Sequence, residues 1–402
     1  MEFNRREGWP AGANNIAPRD RLPEGAVRDS VNLDPNVGGT FTLRARARQI
    51  YQGLDVRGML ELGDRLLVAD GTSLVEIDTR TDTSRVLRSI AGDGAFAGDE
   101  LNGELFFCTA NECLRYDGQV VRRWGVLDPG AQPPVAVVGG GSLRAGAYKF
   151  AMTYIDERGV EGGTGAPAVI TVVDAQGLDF TLPIPPAGHQ VCLYVGAAES
   201  QSLYRQHRGA GGPLLLTSLR DDTALLQTAH YTAPQPGQLV CAHNSVLLIA
   251  RGSVLEMTMP MRPHLASRMR HFYQFPATID VLESSPAGIC VCADKAYLIS
   301  DPETSEPFQR VLLDMPAVPG SGFRLPDLRV GWMTAHGQAF VGPDGALSLP
   351  TRQTFVPELA SQGASGVLEH NGNQLVVTTM RGVQAENSLA FDDFYDIEVV
   401  QP

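Results

Sequence analysis

Six cysteines carry the most reactive side chains of the sequence: Cys108, Cys113, Cys192, Cys241, Cys290 and Cys292. A metal site needs several Cys or His ligands at suitable spacing, and no further ligand lies near Cys290 and Cys292. These two alternate with apolar residues, so on a strand both side chains point to one face and act as small core residues. The opening residues 1–6 lack an apolar leader. We therefore expect free thiols in a reducing cytoplasm and no bound metal.

Paired acids are the second candidate for chemistry, because a glycosidase uses two carboxylates. Asp221 and Asp222 are adjacent, as are Asp392 and Asp393, and neighbouring strand residues point to opposite faces. The glycine run at 138–142 lacks the lysine of a phosphate-binding loop, and no G-x-S-x-G elbow occurs. A Ser-His-Asp triad stays open, because its members are distant in a chain. We expect no catalytic, cofactor-binding or metal-binding residues, and no enzyme activity.

A cationic segment stands out in an otherwise acidic sequence. It consists of Arg262, His264, Arg268 and Arg270, with His271 at its end. A phosphate or a carboxylate is one ligand for such a cluster. We favour the other interpretation, in which these residues form an exposed loop that contacts a neighbouring subunit.

The net charge of −13 limits the classes of partner. Affinity for nucleic acid comes mainly from Lys and Arg that neutralise phosphates, so sequence-specific nucleic-acid binding is not expected. An acidic wall would instead keep a passing duplex from sticking. The sequence contains no run of 18 apolar residues, and we expect no membrane insertion.

The elements that must position these residues are short strands. Charged residues make up only 19% of the chain, against 43 glycines and 27 prolines, which suits many strands joined by tight turns. Alternating runs occupy residues 60–77, 104–118, 239–257 and 287–299, and weaker ones occupy 332–342 and 366–378. Their spacing of about 35–50 residues is the period of propeller blades. We predict an all-β propeller of about six blades, with an irregular β-sandwich as the alternative.

The interval 134–233 breaks this rhythm. It opens with a strand that reads G-x-Y-x-F-x-x-T-Y from Gly146 to Tyr154, and it later contains Leu203-Tyr204-Arg205. The interval resembles a fibronectin type III-like sandwich, and its length of about a hundred residues matches that domain. Prolines at 133–134 and 234–236 flank it, as linkers would.

The N-terminal segment 12–34 has neither a helical nor a strand period. Turn-forming residues recur, and single apolar residues such as Ile16, Leu22 and Val27 stand between them. Such a segment is ordered only by lying along something else, so we predict an extended arm on the body of the protein or on a neighbouring subunit. The residues expected to make its contacts are Asn14, Asn15, Leu22, Pro23, Arg28, Asp29, Asn32 and Asp34.

With Gly38-Gly39 and the arginines 44, 46 and 48, this arm resembles the opening of virion proteins from tailed bacteriophages. In those proteins a "GxNN…LPxGAxRDxxNxD…GG…LRxR" segment precedes a β-propeller. Residues 252–265 and 272–279 resemble a passage between blades of phage propeller proteins, "R-G-x-V-L-x-x-S-x-P" followed by "F-x-Q-F-P". Thr258 and Met259 stand here where that pattern has Ser.

These patterns predict an arm at 1–52, blades at 53–133, the sandwich insert at 134–233 and further blades at 234–402. The resemblance implies a structural virion protein of the tail nozzle, tail tip or adaptor type. It implies a homo-oligomeric ring that contacts other tail proteins and helps to form the conduit for DNA ejection. Two alternatives remain: a tail protein that binds a receptor on the host surface, and a propeller enzyme that degrades polysaccharide.

Overall fold

The computed structural model describes residues 10–30, 33–35, 40–43, 49–267, 269–304, 306–370 and 373–382. Over these ranges the protein is built from strands, with one 3₁₀ turn at Arg19–Arg21 and no α-helix. The predicted all-β class is confirmed. None of the described segments is a helix long and apolar enough to cross a membrane.

The N-terminal arm contains two small sheets. Strands β1 (Gly12–Ala13) and β2 (Ala26–Val27) pair in parallel, and β3 (Leu33–Pro35) pairs antiparallel with β4 (Phe41–Leu43). Two- and three-residue strands bury too little surface to be stable alone. The arm must therefore gain its order from other contacts.

Two four-stranded antiparallel sheets follow, each with its strands in chain order, as in a propeller blade. Blade 1 is β5 (Val56–Leu62), β6 (Arg65–Asp70), β7 (Ser73–Asp78) and β8 (Thr83–Ser89), and blade 2 is β9 (Ala97–Leu101), β10 (Glu104–Cys108), β11 (Cys113–Tyr116) and β12 (Val121–Arg123). In blade 2 the turn Asn102-Gly103 has φ of 56° and 78°, the left-handed pair that a two-residue hairpin requires. Leu67 and Leu74 of blade 1 pack on Phe107 of blade 2 in one buried cluster.

The insert is a sandwich of two antiparallel sheets. One sheet has the order β13-β16-β19 and the other the order β15-β14-β17-β18. Their side chains meet in one core, in which Phe150 and Phe180 pack edge to face at 5.3 Å. The strands are β13 (Val135–Leu143), β14 (Gly146–Ile155), β15 (Ala168–Val172), β16 (Gln176–Leu182), β17 (Gln190–Val195), β18 (Tyr204–Gly209) and β19 (Gly212–Leu216).

Blade-type sheets resume after the insert. Blade 3 has five strands, because both β23 and β24 pair with β22: β20 (Leu239–His243), β21 (Val246–Arg251), β22 (Val254–Met259), β23 (Arg262–Ala266) and β24 (Phe272–Gln274). Blade 4 is β25 (Val281–Ser285), β26 (Gly288–Cys292), β27 (Ala296–Ser300) and β28 (Phe308–Leu313). Blade 5 is β29 (Phe323–Arg324), β30 (Val330–Thr334), β31 (Gly337–Val341) and β32 (Leu347–Ser348).

The sixth alternating run corresponds to a hairpin of two long strands. Strand β33 (Ala360–His370) pairs with β34 (Asn373–Gly382), and the described residues add no third strand to this sheet. From blade 1 to the end of the described residues, the sandwich aside, the chain thus holds five blade-type sheets and this hairpin, against about six predicted blades.

The chain divides into two compact units. The arm unit contains Met1–Ala47, Glu283–Ser300 and Gln309–Pro402, and the sandwich unit contains Arg48–Leu282 and Asp301–Phe308. Blades 1 to 3 and the insert share the second unit, so this division does not follow the predicted domain boundaries, which stay predictions.

Candidate assembly site in the arm unit

The arm folds back on itself where an extended course was expected. The amide of Asn14 donates to the carbonyl of Val27 at 2.8 Å, and that of Ala11 donates to Gly25 at 2.8 Å. The reversal occurs at Pro23-Glu24-Gly25-Ala26, where the Ala26 amide donates to the Pro23 carbonyl at 3.1 Å and Gly25 has a φ of +76°. Glycine adopts that conformation at no steric cost, so the turn at 23–26 has a local cause.

One side chain attaches this loop to a segment more than three hundred residues away. The Asn15 amide nitrogen donates to the Val356 carbonyl at 2.7 Å, and its Oδ1 accepts from the Val356 amide at 2.9 Å. The backbone amide of Asn15 also donates to the Thr354 carbonyl at 2.9 Å. Asn15 thereby imitates a neighbouring strand, satisfying both polar groups of one backbone residue.

A cleft of about 940 Å³ opens beside this attachment, with all of its lining in the arm unit. The arm contributes Arg19, Leu22 and Arg28 to its wall, and the segment leading into the hairpin contributes Glu358 and Leu359. Leu359 is 76% exposed, so the cleft presents an apolar side chain to solvent among charged ones. A mixed surface of this kind suits contact with another protein.

The predicted arm residues differ in what they contact. Asn14 is buried, and its Oδ1 accepts from the Ala17 amide at 2.9 Å, while exposed Pro23 shapes the reversal. Arg28 donates to the Ala17 carbonyl at 2.7 Å. Lining the cleft are Asn15, Leu22, Arg28 and Asp29. Asp34 pairs with Thr42 in the small sheet of β3 and β4, and Asn32 lies outside the described residues.

The cationic segment was expected to form an exposed loop, but its first part is a strand. Arg262 and His264 lie on strand β23, and His264 is half-buried. Burial lowers the pKa of His264, and Arg262 lowers it further. Trp124 directly follows the last strand of blade 2, and its indole donates to the Pro263 carbonyl at 2.7 Å, so β23 is joined to blade 2 within the sandwich unit. Arg270 is exposed, and Arg268 lies outside the described residues.

All six cysteines lie on strands, and no disulfide bond joins them. Cys290 and Cys292 are fully buried on β26, as their alternation predicts. Burial raises the pKa of Cys290 to about 12 and that of Cys192 to about 11, which disfavours the reactive thiolate. Cys108 and Cys113 face each other across β10 and β11, with their sulfurs 3.6 Å apart.

Only one of the two acid pairs considered from the sequence lies in the described part of the chain. Asp221 and Asp222 are exposed in the segment that follows the sandwich, and Asp392 and Asp393 lie outside the described residues. Within the described part of the chain, no group of three or more His, Cys, Asp or Glu side chains is placed to hold a metal ion.

A buried ionic cluster was missed from sequence. Glu76 is 6% exposed and accepts from Arg85 through Nε and Nη2, both at 3.0 Å, and from the Tyr116 hydroxyl. The Arg65 guanidinium donates to the Glu76 carboxylate at 3.3 Å and to the Tyr116 hydroxyl at 3.0 Å. Burial alone would raise the pKa of Glu76, but Arg85 and Tyr116 outweigh it and lower the pKa. The signal in the sequence was the acid Glu76 between the apolar residues Val75 and Ile77, both of which are buried in the structure.

Comparison with known proteins adds little. No protein-family model and no curated protein matches the sequence. Among solved structures, the extracellular domain of BT4673 from B. thetaiotaomicron aligns over 82% of this chain and 59% of its own, at 9% identity and a TM-score of 0.25. Apo AztD from Citrobacter koseri aligns over 74% and 72%, at 7% identity and a TM-score of 0.32.

The N-terminal domain of Nup159 aligns over 81% of this chain and 73% of its own, at 13% identity and a TM-score of 0.33. The chain thus spans about three fifths of the BT4673 domain, since 59% of that domain is covered. Scores at this level carry no statement about function.

Proposed function

We propose that this protein is a structural component of a bacteriophage tail, of the nozzle, tip or adaptor type. In this proposal, copies assemble as a ring at the distal end of the tail, contact other tail proteins and help to form the conduit for DNA. The protein is made in the host cytoplasm and works in the virion, without catalysis or a cofactor. The support from sequence is the resemblance of the arm to the opening of phage virion proteins.

The observation that carries the proposal is the attachment of the arm. Asn15 holds the arm loop on residues 354–356 through three hydrogen bonds, yet the cleft beside it stays open and presents Leu359 to solvent. Such a polar, shallow contact leaves the cleft available for a neighbouring subunit or another tail protein. A ring built from identical head-to-tail contacts requires a surface of this kind on every copy.

The charge of the chain agrees with a conduit. DNA carries one negative charge per about 1.7 Å of its axis, so a wall of net charge −13 per subunit would repel it. A conduit needs this property, because a passing duplex must not bind on its way out.

Electron microscopy of virions labelled with an antibody against this protein tests the proposal. We expect label at the distal end of the tail, in a position common to all particles. Label absent from particles, or confined to host cells, contradicts both this proposal and the receptor-binding alternative.

The receptor-binding alternative has one observation in its favour. The sandwich exposes large apolar side chains, among them Ile184 at 87% and Val173 at 61%. Exposed apolar groups often mark contact surfaces. If this alternative is correct, purified protein will compete with phage for adsorption to host cells, and the Ile184→Ser variant will compete less well.

A further inference from the structure

A crevice lined by arginines lies within the sandwich unit, where the outer strands of blade 2 meet two loops of the sandwich. It consists of two adjoining cavities of about 210 and 510 Å³, which share residues 156–158 and the pair Gly188 and His189. The cations that line it are Arg115, Arg122, Arg123, Arg158 and Arg208.

Two of these arginines are placed against electrostatic preference. Arg115 and Arg122 are direct partners across β11 and β12, and like charges directly opposite each other destabilise a sheet. Each has one acid nearby: Glu104 lies 3.6 Å from Arg115, and Asp117 pairs with Arg122. Local pairing therefore offsets their charge in part.

The remaining cations lack such compensation. In the described chain, the guanidinium groups of Arg123 and Arg158 have no hydrogen-bond partner, and Arg208 bonds only the neutral Gln190, at 2.8 Å. The buried Nε of Arg115 also has no partner among the described residues. A buried donor without an acceptor costs free energy, which a bound acceptor would recover.

The acids of the crevice do not cancel this excess. The Asp156 carboxylate is occupied by its own turn, accepting from the amide of Arg158 at 3.0 Å and that of Val160 at 2.8 Å. Glu157 is the remaining lining acid, against the arginines Arg123, Arg158 and Arg208 of the same lining. The crevice is thus a locally positive region in a chain of net charge −13.

We propose that this crevice binds an oxyanion, the phosphate or carboxylate group of a small molecule or polymer. Guanidinium groups match the planar geometry of such oxyanions and bond them in pairs. Gly159 and Gly188, both at positive φ, carry no side chains that would fill the space beside the arginines. The site lies entirely within one chain and does not depend on the proposed tail function.

Titration calorimetry of the purified full chain with inorganic phosphate, and separately with glucuronate, tests the proposal at constant ionic strength. We expect saturable binding of at least one of the two, and the stronger ligand identifies the anion class. The double variant R123Q/R158Q should lose affinity at least about tenfold, since each lost charge-assisted bond weakens binding. Both arginines are exposed, so the variant should unfold at the wild-type temperature.

Two single variants complete the test. Arg220→Gln removes an exposed arginine of the same unit outside the crevice and should leave affinity unchanged. Glu157→Gln removes the opposing acid and should tighten binding about threefold. No saturable binding of either anion, equal affinity in R123Q/R158Q, or weaker binding in Glu157→Gln overturns the proposal.

Discussion

The arm contact of the arm unit and the Trp124 joint of the sandwich unit attach distant segments in opposite ways. Asn15 makes three hydrogen bonds to residues 354–356 beside exposed apolar groups. Trp124 is 1% exposed, packs on Phe106 at a ring distance of 5.3 Å and donates to the Pro263 carbonyl. The first contact is polar and shallow, and the second is apolar and sealed from water.

This difference separates a contact that holds the fold from a contact that adds little to its stability. A buried aromatic side chain contributes several kcal/mol that no alternative contact replaces. Hydrogen bonds at the surface contribute about 1 kcal/mol each, because water competes for the same groups. If copies assemble as proposed, the arm contact would be remade with a neighbouring copy at a small loss of stability, whereas the Trp124 joint would stay intact.

Trp124→Ala should have the largest effect on stability. The change leaves a cavity beside Phe106 and Leu247 and should lower the free energy of unfolding by about 3–5 kcal/mol. Urea denaturation followed by circular dichroism measures it. Trp124→Phe keeps most of the volume and loses the bond to Pro263, so its loss should be about half as large. Equal stability of the wild type and Trp124→Ala would show that the Trp124 joint does not hold the fold.

Glu76→Gln should cause the second-largest loss of unfolding free energy. It leaves Arg65 and Arg85 without their buried acid, but their side chains are 37% and 54% exposed, so solvent screens part of the loss. We expect about 2–3 kcal/mol in urea denaturation. The matched control is Glu112→Gln, whose pair with Arg88 is more open and should cost under about 1 kcal/mol. A Glu76→Gln loss no larger than that of the control would show that burial of the cluster adds nothing.

Acid should weaken the sandwich unit in a defined range. Burial alone would raise the pKa of Asp117, but the Val120 amide and Arg122 outweigh it and lower the pKa from 3.8 to about 2. A lowered pKa contributes stability above the unfolded value, which is lost as pH falls towards about 2. The wild type should therefore lose about 1–2 kcal/mol more than Asp117→Asn over this range, as urea midpoints will show. Identical pH profiles would exclude Asp117 as a source.

Asn15→Ala should have the smallest effect on global stability and a clear local one. We expect the unfolding free energy to fall by only about 1 kcal/mol, because both lost bonds are exposed and water competes for the same groups. Amides of residues 11–27 should exchange about fivefold faster, as measured by hydrogen exchange with mass spectrometry. Arg21→Ala, at a side chain 82% exposed in the same arm, is the control and should change neither. Unchanged exchange in Asn15→Ala would mean that another contact orders the arm.

Local patterns made the sheets predictable and left the contacts between distant segments out of reach. The alternating runs at 60–77 and 239–257 marked strands that the structure contains, because alternation depends on neighbouring residues. The pairing of Asn15 with Val356 joins positions 341 residues apart, and no local pattern encodes it. The bond from Trp124 to Pro263, the residue before His264, likewise joins positions 139 residues apart.

The arm loop is the instructive intermediate case. Its reversal at Pro23-Glu24-Gly25 has a local cause, the positive φ of Gly25, and was present in the sequence as a turn signal. The prediction of an extended arm rested on the absence of a helical or strand period and did not use this turn.

Hydrogen exchange of residues 10–30 in the purified protein and in intact virions tests the central claim most directly. If the arm contact is remade during assembly, these amides will be markedly better protected in virions, while those of buried strand β26 exchange equally slowly in both. Equal protection of the arm in the two samples would contradict its role in assembly.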